Sequence, residues 1–331
     1  MHRDSTRAHG NGHTQALGPV PRRRAVDNGG MTRATLLTVT APTVSDPAAT
    51  RADGDPGFVL ADFGAPQARI TDLGITRGDG VFETIAVIDG HPQALEPHLE
   101  RLAHSAALLD LPEPDAAVWR EAVLAGVADY RSRNGDGGEL FAKLILTRGV
   151  EGEGRASGWV FVDEGEDFAA QRLGIRVVAL DRGWRHDVAE TSPWLLAGAK
   201  TLSYAINRAA GREAARRGAD DVIFISSDGY ALEGPTSNVI LLSDGVVRTP
   251  QTDQGILAGT TQAAVFAFFE ERGYPTEYRR ITADELRDAD ALWLVSSVRQ
   301  AAPITTLDER DYPVDDALTA DLNAYLLSRT D

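Results

Sequence analysis

The sequence predicts a mixed α/β fold divided into two domains, and three observations lead there. The chain has 331 residues, which at roughly 150 residues per domain provides for about two. Apolar residues make up 43% and charged residues 25%, the mix of a folded globule rather than a disordered chain. Strand-like and helix-like segments interleave without the regular alternation of a doubly wound sheet, so mixed sheets are expected. No apolar stretch approaches the ~18 residues of a membrane span.

Residues 1–56 read as a disordered N-terminal extension. The first 30 are rich in Gly, Pro, His and Arg, lack a hydrophobic period and include consecutive arginines at 22–24. The stretch Ala25 to Gly30 that follows is not apolar, so no twin-arginine export signal is indicated and a cytoplasmic protein is expected. Residues 41–57 are again rich in Pro, Asp, Ala and Gly, which puts the start of the folded body near residue 57.

A smaller domain is expected over 57–165. It opens with a strand at Phe58–Leu60, then a second at Val81–Ile88 turned by Asp89-Gly90. Leu95, Leu99, Leu102, Ala106 and Leu109 recur at helical spacing around Pro97 until Pro112 stops the helix. A second helix is expected over 115–131, followed by strands at 140–147 and 159–163. The glycine-rich stretch between them, with Gly152-Glu153-Gly154, carries acids that repel phosphate, so it reads as a hairpin loop and not a nucleotide loop. Residues 166–192 form a linker and the first strand, 174–180, of a larger domain filling 193–331. There the pattern predicts a helix over 201–217 ending at Gly218, strands at 222–226 and 238–243, and a helix from Thr260 to Arg272. A capping box at Thr282 and Glu285 and a buried strand at 291–297 complete it.

The charge balance narrows the function classes. With 33 basic against 49 acidic residues the net charge is −16, so phosphate backbones and anionic membrane surfaces are repelled, and no nucleic-acid or membrane partner is expected. The absence of cysteine excludes disulfides, thiolate metal sites and cysteine nucleophiles. His91, His98, His104 and His186 lack ligand spacing, so no metal is expected.

Of the 33 basic residues only two, Lys143 and Lys200, are lysine. Lysine alone can form a Schiff base, so a lysine surviving in an arginine-writing chain is a candidate for chemistry. Lys143 sits in an apolar run, Leu140 to Thr147, and reads as an ordinary strand residue. Lys200 follows the apolar run Trp194 to Ala199 and precedes the helix expected from Thr201. Desolvation and the positive end of that helix both favour the neutral amine that attacks a carbonyl; spacing alone also allows a solvated lysine at a helix entry. Glu233, in Tyr230-Ala-Leu-Glu-Gly-Pro-Thr-Ser-Asn238, reads as an inward carboxylate that needs a cationic partner, either an arginine or a protonated ring nitrogen. Leu257-Ala-Gly-Thr-Thr261 opens a helix, and Thr260 and Thr261 there offer an anion site or an ordinary cap. Arg101 lies off the leucine stripe of its helix, ordinarily a solvated position. Ser296 and Ser297 end a buried strand and add hydroxyls. Together these are the parts that a pyridoxal-phosphate enzyme requires.

The ordered blocks Arg77-Gly-Asp-Gly-Val-Phe-Glu-Thr84, His98-Leu-Glu-Arg-Leu102, Ala199-Lys-Thr-Leu-Ser-Tyr204, Asp228 to Asn238, Leu257 to Thr261 and Ala289 to Ser297 resemble the class IV (fold type IV) pyridoxal-phosphate enzymes. That family includes branched-chain and D-amino-acid aminotransferases and aminodeoxychorismate lyase. The resemblance runs from about residue 57 to 312. It implies two α/β domains of the D-amino acid aminotransferase type, pyridoxal 5'-phosphate at their junction, a small-molecule amine substrate and a homodimer. It also implies that Lys200 bonds the cofactor and shuttles the proton, and that Glu233 pairs with the ring nitrogen. Arg101, Thr260 and Thr261 hold the phosphate, Ser297 is a further donor, and Leu257 and Tyr204 lie against the cofactor. Three departures stand out: Gly259-Thr-Thr-Gln262 replaces the common Gly-Ile-Thr-Arg, Ser296-Ser297 replaces Gly-Thr, and Ser203 replaces a frequent Asn. The blocks around Lys200 and Glu233 most resemble lyase-like members, so the reading is aminodeoxychorismate lyase, which eliminates pyruvate from 4-amino-4-deoxychorismate to give 4-aminobenzoate for folate. An aminotransferase of D- or branched-chain amino acids is the alternative, and a catalytically silent relative the second.

Overall fold

Two β-sheets organise the described residues, 33–45, 55–135 and 138–330, in the computed structural model. The first contains β1 (Thr35–Val39), β2 (Phe58–Ala61), β3 (Gly80–Ile88), β4 (His91–Pro92), β5 (Leu140–Thr147) and β6 (Ser157–Glu164). Its order is β2-β1-β6-β5-β3-β4, antiparallel throughout. Helices α1 (Leu73–Arg77), α2 (Leu95–Leu108) and α3 (Ala116–Asn134) belong to this half of the chain.

Period-two alternation sets what each face of this sheet does. Val81, Ile85 and Val87 of β3 enter a core shared with Leu99 and Leu102 of α2 and Trp119 and Val123 of α3. Asp115 caps α3 by accepting from the Ala117 and Val118 N–H groups. The opposite face carries Phe82, Thr84 and Lys143, which line a cavity.

The second sheet contains β7 (Ile175–Asp181), β8 (Asp221–Ile225), β9 (Asn238–Ser243), β10 (Val246–Pro250), β11 (Thr276–Arg279), β12 (Ala291–Ser296), β13 (Gln300–Leu307) and β14 (Arg310–Asp311). Its order is β11-β10-β9-β12-β13-β7-β8, with β14 beside β13. It is mixed, because β10 and β11, β13 and β7, and β7 and β8 run parallel. The helices of this half are α4 (Val188–Thr191), α5 (Ala205–Arg216), α6 (Thr260–Glu271), α7 (Ala283–Arg287) and α8 (Asp316–Ser328). Val239 and Leu241 of β9 pack on one side of the sheet, with Leu292 and Leu294 of β12. Ile240 and Trp293 pack on the other, against Phe268 and Phe269 of α6 and Leu322 of α8. Burial on both faces explains why these strands read as continuous apolar runs. No helix among the described residues is long and apolar enough to cross a membrane.

Two expectations are corrected. The folded body does not begin near residue 57. β1 lies inside the sheet between β2 and β6, and Leu37 is fully buried. It packs so closely on α3 that a Cβ on Gly126 would come within 2.9 Å of its side chain. A five-residue strand amid Pro- and Gly-rich sequence carries too little pattern to be seen without its partners. Residues 1–32 and 46–54 of the expected extension lie outside the described residues. The second correction is that α5 begins at Ala205 rather than Thr201. Residues 200–202 hydrogen-bond to β3 instead, a long-range pairing that overrides local helical spacing.

Because Leu37 is sealed in the core, Leu37→Ala should lower stability by about 2–5 kcal/mol in urea unfolding. A loss below about 0.5 kcal/mol would put β1 outside the cooperative unit.

Candidate active site

The segment around Lys200 is stitched to a free sheet edge. β4 pairs only with Val87 and Ile88 of β3, so the start of β3 keeps unpaired backbone groups on that side. The Phe82 N–H donates to the Lys200 carbonyl at 3.1 Å, the Leu202 N–H donates to the Gly80 carbonyl at 2.8 Å, and Thr201 bridges to Val81. The Lys200 N–H donates to the hydroxyl of Ser105 on α2 at 3.2 Å. Gly78, at φ 69°, lies under Ser203, whose Oγ a Cβ would approach to 2.6 Å. The exposed Ser203 therefore serves the backbone contact at this rim.

The Lys200 ammonium lies 4.7 Å from the centre of the Phe82 ring, with no hydrogen bond or ion pair among the described residues. Burial pushes its pKa down to about 8. The cause differs from the expected one. α5 starts at Ala205, so Lys200 does not open that helix, and Trp194 and Leu195 are 74% and 49% exposed. The Phe82 ring of β3 is the apolar surface beside it.

Glu233 approaches from the second sheet. It follows β8, where its carbonyl accepts from the Phe224 N–H at 2.8 Å. Burial pushes the carboxyl pKa up to about 7, opposed by the Leu257 N–H donated to Oε2 at 3.0 Å and by the charges of Arg182, Lys200 and Arg101. Asn238, the first residue of β9, donates to the Leu257 carbonyl at 2.8 Å. A Cβ at Gly259 would fall 2.0 Å from Asn238 Oδ1, so only glycine fits there. Gln262 accepts from the Gly259 N–H through Oε1 at 3.2 Å and reaches Thr249 through Nε2. This fixes the first turn of α6, where the Thr260 and Thr261 N–H groups have no intrahelical acceptor.

A third group was not singled out from sequence. Glu83, on the core-facing side of β3, accepts from Arg101 through two bonds of 2.7 Å. It also meets His98 Nδ1 at 2.8 Å, and Glu83 and His98 are completely buried. Arg101 holds the Glu83 carboxyl far below the usual carboxylate range, against a burial effect that acts upward. The Arg101 side chain is 11% exposed, not solvated as its helical position implies, because its partner comes from a strand that helical spacing does not register. Its Nη1 also donates to the Ala258 carbonyl at 2.8 Å. The Glu83 and His98 side chains lie inside the quoted blocks. An acid on the apolar face of a strand and a histidine three residues before an arginine were the available signals.

One cavity of about 780 Å³ collects the expected residues. Arg101, Lys200, Tyr204 and Glu233 line it, as do Leu257, Thr260, Thr261 and Ser297. Tyr204 packs edge-on against Phe82 at 5.4 Å and donates its hydroxyl to the Pro235 carbonyl at 2.6 Å. Lys143 also lines the cavity, its ammonium about 6 Å from the Phe82 and Phe141 rings.

The Amino-transferase class IV family model matches residues 80–307. The chain belongs to the class IV aminotransferases. The chain of fold IV-transaminase CpuTA1 from Curtobacterium pusillum is 90% identical, with a TM-score of 0.88, covering 91% of this chain and 99% of that one. A bifunctional aminodeoxychorismate lyase / D-amino acid transaminase from Mycobacterium tuberculosis is 44% identical over 259 residues, 76% of this chain and 89% of its own length. A hypothetical aminotransferase from the same organism, in its PLP-bound form, is 39% identical with a TM-score of 0.79, covering 89% of this chain and 99% of that one. A further form of it holds α-ketoglutarate and PMP.

Class IV aminotransferases are pyridoxal-phosphate enzymes, and the residues present fit that cofactor. A desolvated amine, a buried carboxyl short of cations, and hydroxyls beside free helix N–H groups share one cavity with an arginine.

The raised pKa of Glu233 carries a signed consequence. Its unfolded form ionises near 4.5 and its folded form near 7, so without cofactor its contribution to stability falls as pH rises through that window. At pH 8 cofactor-free Glu233→Gln should be more stable than the parent by about 2–3 kcal/mol, with the difference vanishing near pH 4.5. Parallel urea-unfolding profiles for both proteins across this range would refute it.

Proposed function

We propose that this site carries out both reactions in the name of the 44% identical relative: elimination of pyruvate from 4-amino-4-deoxychorismate and transamination of D-amino acids. The observation that carries the proposal is the placement of Lys200 and Glu233 on walls of the same cavity, from different sheets.

When bound, pyridoxal phosphate supplies an electron sink for the pair of electrons left when the substrate carbon loses its proton. Lys200 Nζ takes that proton. Its pKa of about 8 leaves a useful fraction of neutral amine near neutral pH and keeps the ammonium able to return the proton. Glu233 holds a proton-bearing ring nitrogen, and that cation would restore the carboxyl to its ionised form. Arg101, Thr260, Thr261 and Ser297 would hold the phosphate, and Leu257 and Tyr204 would supply the apolar and aromatic walls for the ring. From this point the substrate decides. A leaving group on the adjacent carbon allows expulsion of enolpyruvate and aromatisation to 4-aminobenzoate. Without one, Lys200 delivers the proton elsewhere and the amine passes to a keto acid. One set of residues thus serves both outcomes.

The 90% identical neighbour is named a transaminase, which favours transamination as the faster activity. A homodimer is retained in this reading, supported by exposed apolar side chains at Phe63, Ile70 and Ile75. So is the division into a smaller domain (to 165), a linker (166–192) and a larger cofactor-binding domain (193–331), with β1 assigned to the smaller one.

Purified enzyme should release pyruvate from aminodeoxychorismate with no keto acid present, and should accumulate pyridoxamine phosphate with D-alanine. Lys200→Ala should lose both by about 10³-fold or more, together with cofactor absorbance at roughly 400–430 nm. Amine transfer from L-leucine alone, with neither pyruvate release nor turnover of D-alanine, would overturn the reading in favour of a branched-chain enzyme.

A further inference from the structure

His98 is fully buried and sits between two things that differ in what they ask of it. On one side its Nδ1 is 2.8 Å from Glu83 Oε2, which also accepts from Arg101 Nη2 at 2.7 Å. Arg101 Nη2 also lies 3.2 Å from Nδ1, but the shorter contact to the ionised Glu83, which can only accept, puts a proton on Nδ1. On the other side Nε2 lies 3.2 Å from Thr260 Oγ1 and 3.3 Å from Ser297 Oγ. These two hydroxyls come from α6 and from the end of β12, and the Ser297 oxygen already accepts from the Ala86 N–H at 3.2 Å.

The hydroxyl protons are therefore contested. While Nε2 is unprotonated it accepts a hydrogen bond from Thr260 or Ser297, and the hydroxyl that donates it turns a lone pair towards the cavity. A phosphate dianion offers only acceptors and is repelled by that lone pair. Once Nε2 is protonated it donates to a hydroxyl oxygen, and both hydroxyl protons are free to point at phosphate.

We propose that His98 is a positioning residue that takes up a proton as the cofactor's phosphate binds, thereby turning the Thr260 and Ser297 hydroxyls into donors. This deepens the reading above and rests on its assignment of those hydroxyls to the phosphate. The charged groups facing His98 are Glu83 from β3, Arg101 from its own helix and Lys200 from the segment paired with β3. Burial and the two cations hold the imidazole neutral in the cofactor-free protein, while Glu83 acts in the opposite direction. The incoming dianion adds a second negative charge on the Nε2 side and tips the balance towards the imidazolium.

Pyridoxine 5'-phosphate is the probe, because it lacks the aldehyde and so leaves Lys200 unbonded. Histidine ¹⁵N NMR of the full chain should show His98 as the neutral Nδ1–H form without the probe at pH 7.5, and protonated at both nitrogens with it. Calorimetry in buffers of differing ionisation enthalpy should show close to one more proton taken up by the parent protein than by His98→Gln. Between the free and bound pKa values of His98, affinity of the parent should fall more steeply with rising pH than that of His98→Gln, by up to tenfold per pH unit. A purely structural role would lower the unfolding temperature of the variant without changing either proton count or slope. Should His98→Gln fail to fold, the NMR measurement on the parent decides by itself. A neutral imidazole in the probe-bound protein overturns the inference while leaving the phosphate assignment intact. Affinity for the probe unchanged in Thr260→Val overturns the phosphate assignment and the inference with it.

Discussion

The pairing of residues 200–202 with the free edge of β3 is the constraint on which the site depends. Gly80 to Phe82 would otherwise present open backbone donors and acceptors. By closing on them, a loop that belongs by sequence to the second half of the chain becomes an extra edge segment of the first sheet. The amine of Lys200 then projects over Phe82, while Glu233 and the start of α6 are held by the second sheet. Neither sheet alone contains both an amine and a carboxyl at the cavity. The Ser105 hydroxyl adds a fixed point from α2, so backbone bonds and not side-chain packing set the height of the lysine.

Desolvation then sets the chemistry. The protein is strongly acidic overall, yet the cavity wall brings Lys200, Lys143 and Arg101 together. Burial drives the lysine down to about 8 and the carboxyl of Glu233 up to about 7. Both shifts disfavour the charged form, which costs stability in the cofactor-free protein and poises both groups for proton transfer near neutral pH. Glu83 is the counter-example inside the same wall. It is fully buried, yet two bonds from Arg101 and one from His98 keep it ionised. The difference between the two carboxyls is a guanidinium bonded directly to Glu83, whereas Arg182 and Arg101 act on Glu233 only through their charge.

The departures from the family pattern are accounted for locally. Gln262, standing where arginine is common, closes the first turn of α6 by bonding the Gly259 N–H and Thr249. Ser297 retains a hydroxyl in place of threonine and meets both the Ala86 N–H and His98. Gln262 thus fixes the α6 turn, and Ser297 keeps a hydroxyl beside His98.

Much was legible from the sequence by itself. The rarity of lysine singled out Lys200, the inward setting of Glu233 followed from its apolar neighbours and Gly-Pro, and Thr260 marked a helix start by its glycine and hydroxyls. Long apolar periods placed α2, α3, α6 and the central strands of the second sheet, because many residues repeat the same signal. Tertiary structure decided what short or non-local segments do. β1 is only five residues long and is recognisable only by its pairing with β2 and β6. Thr201 and Leu202 fit helical spacing but bond to β3, and Arg101 and His98 are held by Glu83, fifteen or more positions away. Local periodicity reports which face of an element is apolar; it holds no information on which distant backbone edge or buried charge that element will meet, and here those meetings place Lys200 in the cavity and keep Glu83 ionised.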